Sequence, residues 1–177
     1  MGNTVLKVIY ERRSVRHFAS QAVEPEKIYE VLKAGSWAPS GLNNQPWRFA
    51  IVVNEQTKEA IAELTRYRQV VLNAAVLLPV FIDKTVMYHD TKDHQSIGAC
   101  LQNMLLAAHS LGLGAVWLGE ILKNADKVRS ILKLPEELEL MAVIAVGYPA
   151  KGGQTSSRRP LDELIVYDEI QHKECNQ

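Results

Sequence analysis

Cysteine is nearly absent from this chain, and the little there is suits no metal. Of 177 residues only Cys100 and Cys175 carry thiols. Without a CxxC spacing they cannot build a thiolate zinc site or hold an iron–sulfur cluster. Cys100 falls in an apolar helical run and reads as core; Cys175 falls in a polar tail and reads as exposed. No disulfide is indicated, so a reducing cytoplasm is the expected home. Charge of one sign is also lacking. Lys plus Arg and Asp plus Glu both number 20, which argues against generic polyanion or nucleic-acid binding. Aromatic residues make up 7% and are too scattered for a base-stacking platform. No apolar run approaches the roughly 20 residues of a membrane helix, and the stretch Met1 to Lys7 has no signal-peptide apolar core. Lys7 stands where a myristoylation signal would need Ser or Thr. A GxSxG elbow is missing and no Cys–His pair is suggested, so hydrolase chemistry has no nucleophile. His89-Asp90 and Asp93-His94 want a third ligand at a recognisable spacing, and no metal site is expected.

What is present fits one core of ordinary size. The length suits a single domain over residues 1–177, and 47% hydrophobic content is typical of globular chains. Val5, Val8 and Ile9 predict a helix over 4–12. Glu24-Pro25-Glu26 opens a second helix, with Ile28, Val31, Leu32 and Trp37 on its apolar stripe. Residues 48–53 and 76–82 read as core strands, although Pro79 inside the second removes a ladder donor. Asn54 caps a helix expected to run to about Tyr67. After a polar stretch from Met87 to Asp93, read as mobile, the longest helix runs from His94 to Leu111. It is apolar almost all round, so it is either central or covered by a second subunit. Gly112 caps it. Residues 115–118 form a strand, Asn124 to Leu132 a helix, 138–146 the last core strand, and 164–167 a short extended piece. A flexible Lys151-Gly152-Gly153-Gln154 loop precedes Arg158-Arg159. Helices and strands mix without βαβ alternation, which predicts an α+β fold.

Two segments carry chemistry beyond this frame. Arg12-Arg13-Ser14-Val15-Arg16 gathers three guanidinium groups and a hydroxyl within five residues. Arg grips a phosphate through two parallel hydrogen bonds, and Arg158-Arg159 answers from far along the chain. One or two such arginines would only complement a helix C-terminus; three with a serine between them suggest a converging anion site. Pro39-Ser40-Gly41-Leu42-Asn43-Asn44-Gln45-Pro46-Trp47 has the composition of a helix-to-strand loop. Its run of three amides exceeds what a turn needs. Together the segments point to a phosphorylated cofactor with a flat polar ring, and flavin mononucleotide (FMN) leads. Gly112-Leu113-Gly114 is no dinucleotide fingerprint, because it follows a helix and precedes a strand.

These two segments, in this order, closely resemble the FMN-dependent nitroreductase family. Residues 102–114, Trp117-Leu118-Gly119-Glu120, Gly147-Tyr148-Pro149 and Arg159-Pro160-Leu161 agree with it and extend the likeness over nearly the whole chain. The resemblance implies a mostly antiparallel mixed sheet flanked by helices, as in a compact member. It implies that Arg12, Ser14 and Arg16 hold the FMN phosphate and ribityl chain with Arg13 beside them, and that Arg158 or Arg159 closes on the phosphate. Pro39, Ser40, Gly41 and Asn43 would come from the opposite subunit of a homodimer, and backbone amides near Leu118, Gly119 and Glu120 would face the ring. The long helix would form the dimer core, and residues 164–167 would cross to the partner's sheet. Flavin N5 would carry the chemistry with no catalytic side chain, passing hydride from NAD(P)H to a nitroaromatic, quinone or similar acceptor by a ping-pong route. Larger members place Asn and Lys on the flavin where this chain reads Tyr67-Arg68-Gln69-Val70, so those contacts do not transfer. Alternatives are a flavin-dependent dehydrogenase, oxidase or dehalogenase with a dedicated substrate, and a non-catalytic flavin binder.

Overall fold

The structure, a computed structural model, describes residues 4–150 and 155–170. Cys175 and the Lys151–Gln154 loop lie outside the described residues. In chain order the elements are α1 (Thr4–Glu11), α2 (Pro25–Ser36), β1 (Trp47–Phe49), α3 (Glu55–Ala62), α4 (Arg68–Asn73), β2 (Val76–Asp83), α5 (Asp90–Ser110), β3 (Gly114–Leu118), α6 (Ala125–Ile131) and β4 (Leu138–Gly147). The four strands pair antiparallel in the order β1-β2-β4-β3. The fold is α+β, as expected. A single parallel bridge, Ser14 to Ala115, adds the only mixed pairing among the described residues.

All eight residues of β2 are buried, so both of its faces are covered. Val76, Leu78, Val80 and Ile82 face α2 and α5; Leu77 and Phe81 face α3, α4 and α6. That alternation is the two-residue period of a strand. On β4 the register shifts opposite Val80 and Phe81, skipping Met141. This bulge puts Leu140 and Val143, three residues apart, on the same face. Helix α5 lays Ile97, Cys100, Leu101, Met104, Leu105 and Ala108 against the sheet and leaves Leu106 and Ala107 half-buried. Burial pushes the Cys100 thiol up to about 12, which makes it core and not a nucleophile. Among the described residues no helix is long and apolar enough to cross a membrane.

Several boundaries depart from expectation, each for a traceable reason. The strand predicted over 48–53 breaks after Phe49 and returns only as a bridge from Val52 to Leu77. Ala50 N–H donates to the Pro79 carbonyl at 3.0 Å, but Pro79 has no N–H to return, so the ladder lapses there. The helix capped by Asn54, whose side chain accepts from Thr57 N–H, ends at Ala62 and not near Tyr67. A continuing helix would send the Arg66 N–H back to Ala62. Glu120 takes it instead at 3.2 Å, and the Thr65 hydroxyl at 2.7 Å. Helix α5 begins at Asp90, four residues before His94. The 87–93 stretch read as mobile is held by the buried Asp93. Gly112 does cap α5, at φ 76°, with the Leu113 N–H reaching the Ala108 carbonyl. Leu164, expected to be extended, takes helical dihedrals after a short turn over Leu161–Glu163.

Candidate functional site

The N-terminal arginine segment docks along the edge strand β3. Val15 N–H donates to the Ala115 carbonyl at 3.0 Å. Gly114 permits this close approach, since a Cβ there would lie 2.7 Å from the Val15 side chain. Further on, Ala19 N–H bonds the Tyr148 carbonyl and Ala150 N–H the His17 carbonyl, tying the segment to the end of β4. Arg12, Arg13, Ser14 and Arg16 therefore surround one cavity of about 260 Å³, which Thr155, Ser156 and Arg158 complete. Arg159 is exposed and outside that lining.

The electrostatics of this cavity are one-sided. None of the ion pairs among the described residues engages Arg12, Arg13, Arg16 or Arg158, whereas Arg48, Arg68 and Arg129 all have carboxylate partners. Burial, then the repulsion of Arg158 and Arg13, lowers the Arg12 pKa from its ordinary value. The Nε groups of Arg12 and Arg13 are buried without a hydrogen-bond partner. Arg13 spends one nitrogen on the Tyr10 and Arg12 carbonyls, at 2.6 and 2.9 Å. Arg158 is turned to Ser156 Oγ and the Ser157 carbonyl, at 3.0 and 2.8 Å. Buried donors without acceptors and clustered like charges fit a phosphate dianion.

At the far end of β3, Leu118 is buried and Gly119 exposed. Leu118 lies three residues beyond Ala115, the bridge partner of Ser14, about 10 Å along the strand. The Glu120 carboxylate faces away into the fold, bonded to Thr65, Arg66 and Lys123. Those partners, the Lys123 hydrogen bond first, hold its pKa down to about 2. Only its backbone is left for a ligand.

Pro39, Ser40 and Gly41 line a different cavity, of about 300 Å³, together with Tyr88, Lys92 and Gln95. Asn43 sits on the same loop, exposed and outside that lining. The loop is strained: Leu42, Asn43 and Gln45 have φ of 53°, 55° and 47°, a left-handed region costly for side chains with a Cβ. Within one chain the two cavities share no residue. Sequence reasoning missed Thr155 and Ser156 in the first cavity and the Asn44–Asp93 contact beneath the second. Asn44 belonged to the amide run and Asp93 to the rejected metal cluster, but nothing local paired them across 49 residues.

Fold and site together define an α+β protein with an arginine-lined cavity beside an edge strand. The Nitroreductase family model matches residues 9–75 and 65–148. A Desulfovibrio desulfuricans protein, assigned as a nitroreductase and crystallised in complex with FMN, superposes with a TM-score of 0.91. It is 48% identical, over 95% of this chain and 98% of its own. An Archaeoglobus fulgidus protein assigned as an NADH dehydrogenase/NAD(P)H nitroreductase is 35% identical, over 81% of this chain and 84% of its own. The iodotyrosine deiodinase of Thermotoga neapolitana is 30% identical, over 91% and 97%. The chain belongs to the nitroreductase family.

Proposed function

We propose that this protein is an FMN-dependent oxidoreductase that draws hydride from NAD(P)H and delivers electrons to a nitroaromatic, quinone or similar small acceptor, the two substrates using one site in turn. The observation that carries the reading is the arginine cavity: four guanidinium groups, two with buried, unpartnered Nε donors, and no carboxylate in its lining. Bound FMN supplies the hydride-accepting ring and the two-electron chemistry. Arg12, Arg13, Arg16 and Arg158 neutralise its phosphate, and Ser14 offers a hydroxyl to the phosphate or the ribityl chain. Arg159 remains in reserve on the same segment. Edge strand β3 runs from that phosphate end to Leu118, Gly119 and Glu120, whose backbone N–H groups face the ring and favour negative charge on it. Pro39, Ser40, Gly41 and Asn43 reach the ring from a second copy of the chain, which accounts for their separation from the arginines in one protomer.

A homodimer is supported by apolar side chains left in water. Ile9, Tyr10 and Leu42 are exposed, and so is Trp37, expected on the apolar stripe of α2 but standing at the helix's C-cap and 80% exposed. A largely apolar cavity of about 400 Å³, lined by Val8, Ala34, Trp37, Leu106 and Ala107, runs along α5. Leu161, Leu164, Val166, Tyr167 and Ile170 form an exposed apolar arm that crosses to the partner. The sparse cysteines support a reducing cytoplasm as the dimer's location.

Steady-state kinetics test the reaction: parallel double-reciprocal lines with NADH or NADPH against a nitroaromatic or quinone support it, and absence of turnover with every pair refutes it. The deiodinase relative gives specific ground for a second reading, reductive dehalogenation of a dedicated substrate. Halide release from an iodinated phenol by the reduced protein would favour that reading.

A further inference from the structure

Asp93 lies in the first turn of α5 and is completely buried. Its Oδ1 accepts from Asn44 Nδ2 at 2.7 Å; its Oδ2 accepts from the backbone N–H groups of Tyr88 and His89, both at 2.9 Å. Asn44 Nδ2 also donates to the Val86 carbonyl at 3.1 Å. Both neighbours of that nitrogen are acceptors, so the amide cannot be turned the other way. Its Oδ1 is left buried and without a partner. Burial raises the Asp93 pKa, but the hydrogen bonds from His89, Asn44 and Tyr88 outweigh it and hold the group below its ordinary value. A well-packed apolar cluster would often fill such a place at less cost than a charge and an orphaned acceptor. The network therefore makes sense for the geometry it holds.

That geometry is the loop from Ser40 to Gln45. Asn44 has ordinary helical dihedrals and is flanked by the left-handed Asn43 and Gln45. Its side chain reaches under the loop to α5. On the other side Ser40 Oγ accepts from Gln45 N–H at 3.1 Å. The same carboxylate fixes the Tyr88–His89 turn, which lays the Tyr88 ring across Gly41, where a Cβ would fall on the Tyr88 hydroxyl.

We propose that Asp93 is a positioning residue for the flavin site: through Asn44 it holds the strained 40–45 loop in its binding shape, and through the Tyr88 backbone it sets the ring that covers Gly41. Asp93 touches no ligand itself. The inference rests on the reading that residues 39–43 meet the flavin.

The test is a set of variants titrated with FMN by flavin fluorescence, with apo-protein melting measured alongside. Asn44→Ala removes the tether and leaves Asp93 its two backbone donors. Asn44→Asp sets two carboxylates face to face, and adding Asp93→Asn restores a donor–acceptor pair. The expected result is FMN binding weakened at least about tenfold in Asn44→Ala, more in Asn44→Asp, and recovered in part by the double variant. Wild-type FMN affinity in Asn44→Ala, with only its melting point lowered, would overturn the proposal; so would a double variant no better than Asn44→Asp. If the wild-type protein binds no FMN, the flavin reading itself has failed. Limited proteolysis then still decides the positioning role: faster cleavage within 40–45 in Asn44→Ala upholds it, and an unchanged rate overturns it.

Discussion

Arg12 stands half-buried beside Arg13 and Arg158, and like charges this close rest together when an anion lies between them. If Arg12 and Arg16 hold the phosphate as proposed, replacing both with Ala removes charge-assisted bonds worth about 1.5–3 kcal/mol each. FMN affinity should therefore fall by about 3 kcal/mol or more, a loss of over a hundredfold, measured by fluorescence titration. The secondary structure should survive, because neither side chain belongs to the core. Glu120 tells a different story, being a structural carboxylate inside a family motif. Its folded pKa of about 2 lies below the ordinary glutamate value. The sign follows: its contribution to stability is complete above about pH 4.3, the unfolded value, and is lost as pH falls through about 2. Glu120→Gln should lower the melting temperature at neutral pH and flatten the fall between about pH 4 and 2. An unchanged acid limb in thermal melts would show that Thr65, Arg66 and Lys123 are not holding the charge.

Among the elements, β3 does most to organise the site, because one of its edges is open to the arginine segment. Gly114 is the contact point. Gly114→Ala would drive a methyl into Val15, with an expected cost of about 1–3 kcal/mol in denaturant unfolding and weaker FMN binding as residues 12–16 shift. Much at this scale was readable from local chemistry. The Asn54 cap, the Gly112 cap, the apolar run of β2 and the crowd of arginines all announce themselves within a few residues. Local patterns failed where a distant group intervened. Glu120 ends α3 from 54 residues away, Pro79 breaks the neighbouring strand, and the buried Asp93 orders a polar stretch whose composition suggests mobility. The left-handed dihedrals of Leu42 and Gln45 left no mark in residue type, whereas Asn43 is of a type that takes them readily. Convergence of Arg158 on Arg12 was suggested by residue type alone; the choice between Arg158 and Arg159 needed coordinates.

For the whole molecule, the proposed flavin site takes two chains. The arginine cavity and the 39–43 loop lie apart in one protomer, and exposed apolar side chains on α1, at the end of α2 and on the C-terminal arm await cover. Trp37→Glu combined with Ile9→Asp places charge on that face. Sedimentation should then show monomers where the wild type is dimeric, and retained FMN should fall with the dimer. Monomers that keep FMN as tightly as the dimer would show that each chain builds its own site.

FMN binding is read directly from a visible absorption spectrum of the purified protein, taken after FMN addition and gel filtration. A yellow dimer retaining flavin bands in equimolar ratio to chains is expected. A colourless protein that releases all added FMN on the column would contradict it.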